Sequence, residues 1–227
     1  MSKRPITTLF MLMTVDGKIS TGATDDLDVD KDFPKISGVK EGLHQYYEIE
    51  RTTDLWSLNS GRVMAKIGVN ERPMPDKRDV SFVIIDNSHL TYHGVEYFAR
   101  LSKTLVIATS NKLHPAYQNQ SNNVNIIFQD ELNPGSILES LYADYGCERI
   151  TIQTGGTLNE VFLRSKLFDF IDIVIAPVLV GGKATSTLID GNSLLSPDEL
   201  DNLGVLKLNS CDVLEDSYIR LRYEVVS

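Results

Sequence analysis

Two cysteines are all that the 227-residue chain contains, and Cys147 and Cys211 lie far apart in the sequence. So few cysteines predict neither a disulfide framework nor a zinc site, and two packed free thiols in a reducing cytosol are expected. Long apolar runs are also missing. The strongest run near the start, residues 9–13, is too short for a membrane span and is followed by no cleavage signal. These absences predict a cytoplasmic protein.

Positive charge is scarce as well, with 22 Lys and Arg against 31 Asp and Glu, a net charge of −9. A nucleic-acid surface needs a basic footprint, so this class of partner is disfavoured. A small phosphorylated ligand needs only a few local cations and stays possible. The four histidines show no metal-ligand spacing, and no motif marks a serine or cysteine nucleophile. We therefore assign no metal and no nucleophilic catalyst.

Apolar strands alternate with amphipathic segments along the chain, which carries 42% hydrophobic and 23% charged residues. Strands are predicted at residues 6–15, 55–58, 82–85, 104–108 and 168–176. Helices are predicted at residues 41–54, 61–67 and 95–101, and a further helix begins at Asn133-Pro134. No repeat or linker divides the chain, so residues 1–227 are expected to form one α/β domain with a mixed sheet.

The C-terminal segment has a different pattern, because apolar and charged residues alternate over residues 219–225 with the period of a half-exposed strand. Residues 205–214 precede it, and Glu215-Asp216-Ser217 forms the turn. This pattern predicts an antiparallel hairpin added to a sheet that is otherwise connected by crossovers. An apolar strand at an edge tends to be paired or covered, which is compatible with a dimer at residues 219–225.

The most informative segment, residues 148–183, reads as strand, glycine pair, helix and strand. Glycines before a helix N-terminus let backbone N–H groups approach an anion closely. Thr157 is predicted as the N-cap, with Glu160 reaching back in a capping box. For two adjacent glycines alone, however, the simpler interpretation is a tight turn that needs positive φ.

Three other strand ends carry polar side chains that could contact a ligand. Gly61 permits close approach and Arg62 offers a fork of donors to a phosphate, although a surface arginine at a helix start would look the same. Asn87 and Ser88 end a strand, where an Asx turn explains them equally well. Asp16 could bond to a ring nitrogen or simply occupy an Asp-Gly turn.

The order of these motifs is more specific than any one of them. DGKIS, SGRVMAKIG, FVIIDNS, IQTGGTLNEVFL and IDIVIAPVLVGG follow one another along the chain. In this order they resemble the dihydrofolate-reductase-like fold and, within it, the reductase domain of riboflavin biosynthesis. The resemblance implies a three-layer mixed sheet, NADPH as the cofactor and a homodimer. It also implies reduction of 5-amino-6-(5-phosphoribosylamino)uracil.

The resemblance assigns roles to particular residues. The pyrophosphate of NADPH would lie at the glycine turn, formed by Thr154, Gly155, Gly156, Thr157 and Leu158. The adenosine end and its 2′-phosphate would be held by Gly61, Arg62, Asn87 and Ser88. Asp16 would face the pyrimidine pocket, with Gln153 beside the glycine turn as a second substrate residue. No residue is assigned as the proton donor.

The chain departs from the family at three places. Gln153 stands where these reductases usually carry Glu, and Met64 stands where related chains place Thr. The stretch that helps hold the phosphoribosyl group has no convincing match in residues 68–78. Two alternatives therefore stay open: an NADPH reductase of another pterin-like or small imine or carbonyl substrate, and a nucleotide-binding module without catalysis.

Overall fold

The computed structural model of the protein describes residues 3–226. Nine strands form one mixed sheet. The strands are β1 (Ile6–Thr14), β2 (Trp56–Ser60), β3 (Ser81–Ile85), β4 (Leu105–Thr109), β5 (Val124–Phe128), β6 (Arg149–Gln153), β7 (Phe170–Ala176), β8 (Leu206–Val213) and β9 (Ile219–Val225). The helices are α1 (Val29–Asp32), α2 (His44–Glu50), α3 (Gly61–Lys66), α4 (Tyr92–Leu101), α5 (Pro134–Tyr145) and α6 (Gly156–Arg164). The predicted α/β class, with a mostly parallel sheet and a C-terminal antiparallel hairpin, is confirmed.

The chain divides into two compact units, described one after the other. The first comprises residues 3–6 and 54–154, and its strands run in the order β5-β4-β3-β2-β6. The pairs from β5 to β6 are all parallel. Every residue of β4 is buried, as expected for a parallel strand covered on both faces. The helices α4 and α5, which cover the sheet, each begin with a polar N-cap residue. Thr91 accepts from the Gly94 N–H at the start of α4, and Asn133 accepts from the Ser136 N–H at the start of α5.

The second unit comprises residues 7–53 and 155–226, with strand order β1-β7-β9-β8. β1 and β7 are parallel, whereas β9 is antiparallel to both β7 and β8. Phe10 of β1 stacks on Tyr46 of α2 with ring centroids 5.1 Å apart. The Tyr218 hydroxyl donates to the Val39 carbonyl at 2.6 Å, which ties the start of β9 to this core.

Three sequence expectations need correction. Residues 219–225 do not form an edge strand, because β9 lies between β7 and β8 and the edge is β8. Strand β5 was not foreseen, since all its residues are half-buried and it lacks clear alternation. The helix expected over residues 41–54 is shorter, His44–Glu50. Within residues 3–226, no helix is both long and apolar enough to cross a membrane.

Candidate functional site

At the start of α3 the backbone packs closely against the carboxylate of Asp86. Ser60 ends β2, and its hydroxyl accepts the Val63 N–H at 3.4 Å to cap the helix. Gly61 is buried, and a Cβ placed on it would lie 2.2 Å from Cγ of Asp86. Glycine is therefore required here by close approach. Arg62 follows it at an exposed position, so the structure brings Gly61-Arg62 beside the polar end of β3.

Asp86 is a buried carboxylate that several donors surround. The backbone N–H groups of His89 and Leu90 donate to it at 3.0 and 2.9 Å, and the His114 imidazole donates at 3.0 Å. Burial opposes ionisation, but the hydrogen bonds from His114, Leu90 and His89 outweigh it and keep the pKa of Asp86 well below its usual range. Nδ1 of His114 accepts the Ala116 N–H, so its Nε2 carries the proton. Asp86 thus fixes the turn that presents Asn87 and Ser88.

Asn87 and Ser88 lie exposed after β3. The Asn87 side-chain oxygen accepts the Ser110 N–H at 2.8 Å, and its backbone carbonyl accepts from Asn111 at 2.7 Å. Asn87 therefore joins the ends of β3 and β4, and the Ser88 N–H points back to Asp86 at 3.3 Å. Sequence reasoning missed Ser110 and Asn111, although the polar run that follows the apolar strand β4 was a usable signal.

Gln153 ends β6 and takes part in a chain of polar side chains. The Ser57 hydroxyl donates to Oε1 of Gln153 at 3.1 Å and accepts from the Asn59 amide at 2.8 Å. Ser57 and Asn59 are buried, and the register places Asn59 beside Gln153. Gln153 is therefore bonded to the polar side chains of β2. Two polar residues within a buried strand were the signal that could have revealed this network.

The glycine pair lies at the start of α6 but does not form the tight turn that the sequence favoured. Gly155 is the N-cap of α6 with φ −77°, and Gly156 is not among the positive-φ glycines, so the predicted positive-φ turn is wrong. A Cβ on Gly156 would lie 2.3 Å from the Thr187 carbonyl oxygen and 2.5 Å from Oδ2 of Asp190. Close approach of residues 187–190 is the reason for glycine at this position.

The predicted capping box at Thr157 is also wrong. The Gly155 carbonyl already accepts the N–H groups of Leu158 and Asn159 at 3.0 Å, so the helix begins before Thr157. Glu160 accepts from Arg164 at 3.1 Å instead of reaching back. Thr154 is buried before the helix, Thr157 is exposed in its first turn and Leu158 is half-buried.

Asp16 lies in the Asp-Gly turn after β1, where Gly17 has φ 77°. The N–H groups of Gly181 and Val180 donate to its carboxylate at 2.6 and 3.2 Å, and the Thr14 hydroxyl donates as well. The Thr14 and Gly181 hydrogen bonds lower the pKa of Asp16 to about 2. Asp16 is therefore ionised at neutral pH, where it can accept hydrogen bonds and holds no proton to donate.

In the first unit, polar groups gather where β2, β3 and β4 end. Three pairs stand at these ends: Gly61-Arg62, Asn87-Ser88 and Ser110-Asn111. Ligands of parallel α/β sheets bind beside the carboxyl ends of the strands. This edge is therefore typical of a nucleotide-binding α/β protein.

Comparison with known proteins specifies the class further. The family described as RibD C-terminal domain matches residues 5–217, and the chain belongs to this family. It is 26% identical over 231 residues to the riboflavin biosynthesis protein RibD of Actinobacillus pleuropneumoniae, covering 100% of this chain and 58% of that protein. It is thus little more than half as long as that relative.

A second relative matches along almost its full length. It is the 2,5-diamino-6-ribosylamino-4(3H)-pyrimidinone 5′-phosphate reductase of Methanothermobacter thermautotrophicus, 27% identical over 222 residues, covering 95% of this chain and 96% of that protein. Among solved structures, Acinetobacter baumannii RibD (form 2) superposes with a TM-score of 0.69 at 17% identity, covering 98% of this chain and 58% of that one. The riboflavin biosynthesis reductase Rib7 of Saccharomyces cerevisiae gives 0.62 at 12% identity, covering 98% and 90%. These two structures share the fold of the chain.

Proposed function

We propose that the chain is an NADPH-dependent reductase of the ribosylamino-pyrimidine 5′-phosphate used in riboflavin biosynthesis, of the 5-amino-6-(5-phosphoribosylamino)uracil reductase type. The observation that carries the proposal is the full-length match to a pyrimidinone reductase. The polar edge in the first unit supports it, because Arg62 stands there beside the Asp86–Ser88 turn.

The residues of the first unit fit the adenosine end of NADPH. Gly61 lets the backbone pack against Asp86 and so places Arg62 at this strand end, where its exposed guanidinium suits a phosphate dianion. Ser88 offers a hydroxyl at the neighbouring strand end, and Asn87 holds that end to β4. These groups are proposed to recognise the adenosine ribose and its 2′-phosphate.

The residues that begin α6 are proposed to hold the pyrophosphate. They are Thr154, Gly155, Gly156, Thr157 and Leu158. The first turn of a helix presents N–H groups and the positive end of the helix dipole, and the N-cap of this helix, Gly155, has no side chain that could bond to them. When bound, NADPH would supply a hydride to an electrophilic C=N carbon.

Asp16 and Gln153 are proposed to face the substrate. Asp16 is ionised, so its carboxylate can accept a hydrogen bond from a ring N–H or an amino group. The Ser57 hydroxyl donates to Oε1 of Gln153, so the amide NH₂ is the donor end of this side chain. An amide donor suits a ring carbonyl, whereas the Glu usual at this position would accept from N–H.

Calorimetric titration with NADPH and NADH tests the cofactor assignment. A charge-assisted hydrogen bond to the 2′-phosphate contributes about 1.5–3 kcal/mol, so NADPH should bind roughly 10- to 100-fold more tightly. Arg62→Met should reduce this preference and leave NADH affinity unchanged. Equal affinities in the native protein would contradict the 2′-phosphate assignment, and binding of neither cofactor would contradict the reductase.

Two other functions remain candidates because of Gln153, Met64 and the unmatched residues 68–78. A reductase of another pterin-like or small imine or carbonyl substrate would oxidise NADPH with that substrate and turn over the ribosylamino-pyrimidine poorly. Such an enzyme should improve on the pyrimidine in Gln153→Glu. A module without catalysis would bind NADPH and oxidise it with no member of a substrate panel.

We further propose that the protein is a cytoplasmic homodimer, as the family resemblance implies. Both cysteines are free, which suits a reducing compartment. Sedimentation at micromolar concentration should show a species heavier than the 25.4 kDa chain. A single 25.4 kDa species would contradict the dimer.

A further inference from the structure

Strand β2 carries two buried polar side chains on one face of the sheet. Ser57 and Asn59 are only 6% and 4% exposed, and they point to the same face because they are two residues apart on a strand. On the neighbouring strand β3 the residues paired with them are Phe82 and Ile84, which are apolar. Burial of a hydroxyl or an amide costs free energy that its hydrogen bonds must offset, so packing alone would favour apolar residues on β2 as well. The polar pair therefore indicates a requirement other than stability.

The hydroxyl of Ser57 joins two amide side chains in a fixed order. The Asn59 NH₂ donates to Oγ of Ser57 at 2.8 Å, and the Ser57 hydroxyl donates to Oε1 of Gln153 at 3.1 Å. A serine hydroxyl has one proton to donate, and here that proton is directed to Gln153. The two amides are therefore held in opposite senses. Asn59 turns its NH₂ toward Ser57, whereas Gln153 turns its oxygen toward Ser57.

The side-chain oxygen of Asn59, Oδ1, is the end of this amide that faces away from Ser57. Within residues 3–226 it accepts no hydrogen bond, although Asn59 is only 4% exposed. In the same part of the chain, every side-chain nitrogen or oxygen that is completely closed off has a hydrogen-bond partner. The Asn59 oxygen is therefore reachable from outside the protein. A nearly buried acceptor that the protein itself does not use is well suited to a hydrogen-bond donor on a ligand.

Asn59 and Gln153 lie side by side near the carboxyl ends of their strands. β2 and β6 are parallel, and their register pairs Asn59 with Gln153. Both side chains are on one face of the sheet, since Ser57 bonds to each of them. Ligands of parallel sheets bind beside these strand ends. The pair thus presents an acceptor, the Asn59 oxygen, next to a donor amide, the Gln153 NH₂.

We propose that Asn59, oriented by Ser57, is a specificity-determining residue that reads position 2 of the substrate ring together with Gln153. This inference rests on the proposed reductase function. An acceptor beside a donor matches a ring edge that has an N–H beside a C=O, and a uracil ring has this edge at its position 2. A 2-amino-4(3H)-pyrimidinone ring carries an amino group there, which would meet the donor amide of Gln153. The chain therefore selects the uracil form of the ribosylamino-pyrimidine.

Steady-state kinetics with two substrates that differ at position 2 test this assignment. They are 5-amino-6-(5-phosphoribosylamino)uracil and 2,5-diamino-6-ribosylamino-4(3H)-pyrimidinone 5′-phosphate, each with NADPH and the full-length protein. A mismatched ring leaves a polar group of the site without its partner, so the native kcat/KM should favour the uracil by about 10- to 100-fold. Loss of folded protein lowers both values equally, and the ratio therefore reports specificity alone.

Asn59→Asp should reverse the preference at pH 8. The new carboxylate has no N–H to donate and accepts the Ser57 proton, so the Ser57 oxygen accepts from the Gln153 NH₂ and Gln153 presents its own oxygen. Two acceptors then suit the 2-amino ring, and the ratio should move toward it by about tenfold or more. Ser57→Ala removes the link between the amides and should bring the ratio close to one without reversing it.

Asn125→Asp is the matched control, because Asn125 also lies on a parallel strand of the first unit and its amide donates only to backbone carbonyls, at 3.3 and 3.5 Å. The ratio should not change in this variant. An unchanged ratio in Asn59→Asp, or in Ser57→Ala if Asn59→Asp does not fold, would overturn the role of Asn59. A native enzyme that turns over both rings equally, or prefers the 2-amino ring, would also overturn it. Turnover of neither ring would instead contradict the proposed function, and this inference with it.

Discussion

The helices α3 and α6 begin in similar ways, but the aspartate beside the start of α3 is buried and the one beside the start of α6 is half-exposed. Each follows a parallel strand and has a first residue, Gly61 or Gly156, on which a Cβ would lie within 2.5 Å of an aspartate atom. At α3 the aspartate is Asp86, which is buried and bonded to His89, Leu90 and His114. The α3 start is thus fixed from several directions.

The α6 start packs against a less buried carboxylate. Asp190 is half-exposed, and its carboxylate accepts hydrogen bonds from the N–H and the hydroxyl of Thr187, at 2.8 and 2.7 Å. The Thr187 carbonyl also approaches Gly156, so backbone as well as carboxylate requires glycine there. Ser60 caps α3 with its side chain, whereas Gly155 has no side chain with which to cap α6. We therefore expect the α3 start to be the more rigid of the two, and we propose that the α6 start binds an anionic ligand.

Removal of the carboxylate beside each helix start should give the largest difference in the free energy of unfolding between a variant at α3 and a variant at α6. Asp86→Ala leaves His114 and two backbone N–H groups buried without their acceptor, so the free energy of unfolding should fall by about 3–5 kcal/mol. Asp190→Ala removes hydrogen bonds from a half-exposed group and should lower it by about 1 kcal/mol. Urea unfolding followed by circular dichroism measures both. Similar losses in the two variants would show that the α3 start is no more rigid than the α6 start.

The sequence predicted much of this architecture, because the elements concerned have strong local signals. Asn133-Pro134 opens α5 with the expected cap, and the alternation over residues 219–225 gives β9. The Gly155-Gly156 segment was located correctly, yet its geometry was not. The reason for Gly156 is the approach of residues 187–190, about thirty positions later, and local pattern contains no information about such a contact.

The network around Asp86 could not be derived for the same reason. His114 follows Asp86 by 28 positions, and its burial against the carboxylate depends on how β3 and β4 lie together. An isolated histidine has no pattern that distinguishes it from a surface residue. Local reasoning therefore identified the strand ends but missed the long-range contacts that hold them.

Adding one methyl group to each glycine should give an intermediate effect and distinguish the two environments. Gly61→Ala and Gly156→Ala should each lower the free energy of unfolding by about 1–3 kcal/mol through overpacking. In an Asp86→Gly background the Gly61→Ala cost should largely disappear, because the atoms nearest to the added Cβ all belong to the Asp86 side chain. In an Asp190→Ala background much of the Gly156→Ala cost should persist, because the Thr187 carbonyl stays 2.3 Å from the added Cβ. Double-mutant cycles measure both couplings, and equal couplings would remove the distinction.

The smallest effect on stability is expected at Gly155. A substitution there tests the proposed role of the α6 start through its effect on ligand binding. With φ −77° and ψ 160°, Gly155 has an extended backbone that valine also adopts, so Gly155→Val should change the free energy of unfolding by less than about 1 kcal/mol. If the N-terminal turn of α6 holds the pyrophosphate, the branched side chain at the N-cap would obstruct it, and NADPH affinity should fall by about tenfold or more. The thermal midpoint and the calorimetric NADPH affinity of the same preparation give both values, with Gly155→Ala as the milder control. Unchanged affinity in a folded Gly155→Val protein would assign the glycine pair to packing alone, because the helix start would then tolerate a side chain where a phosphate was proposed to lie.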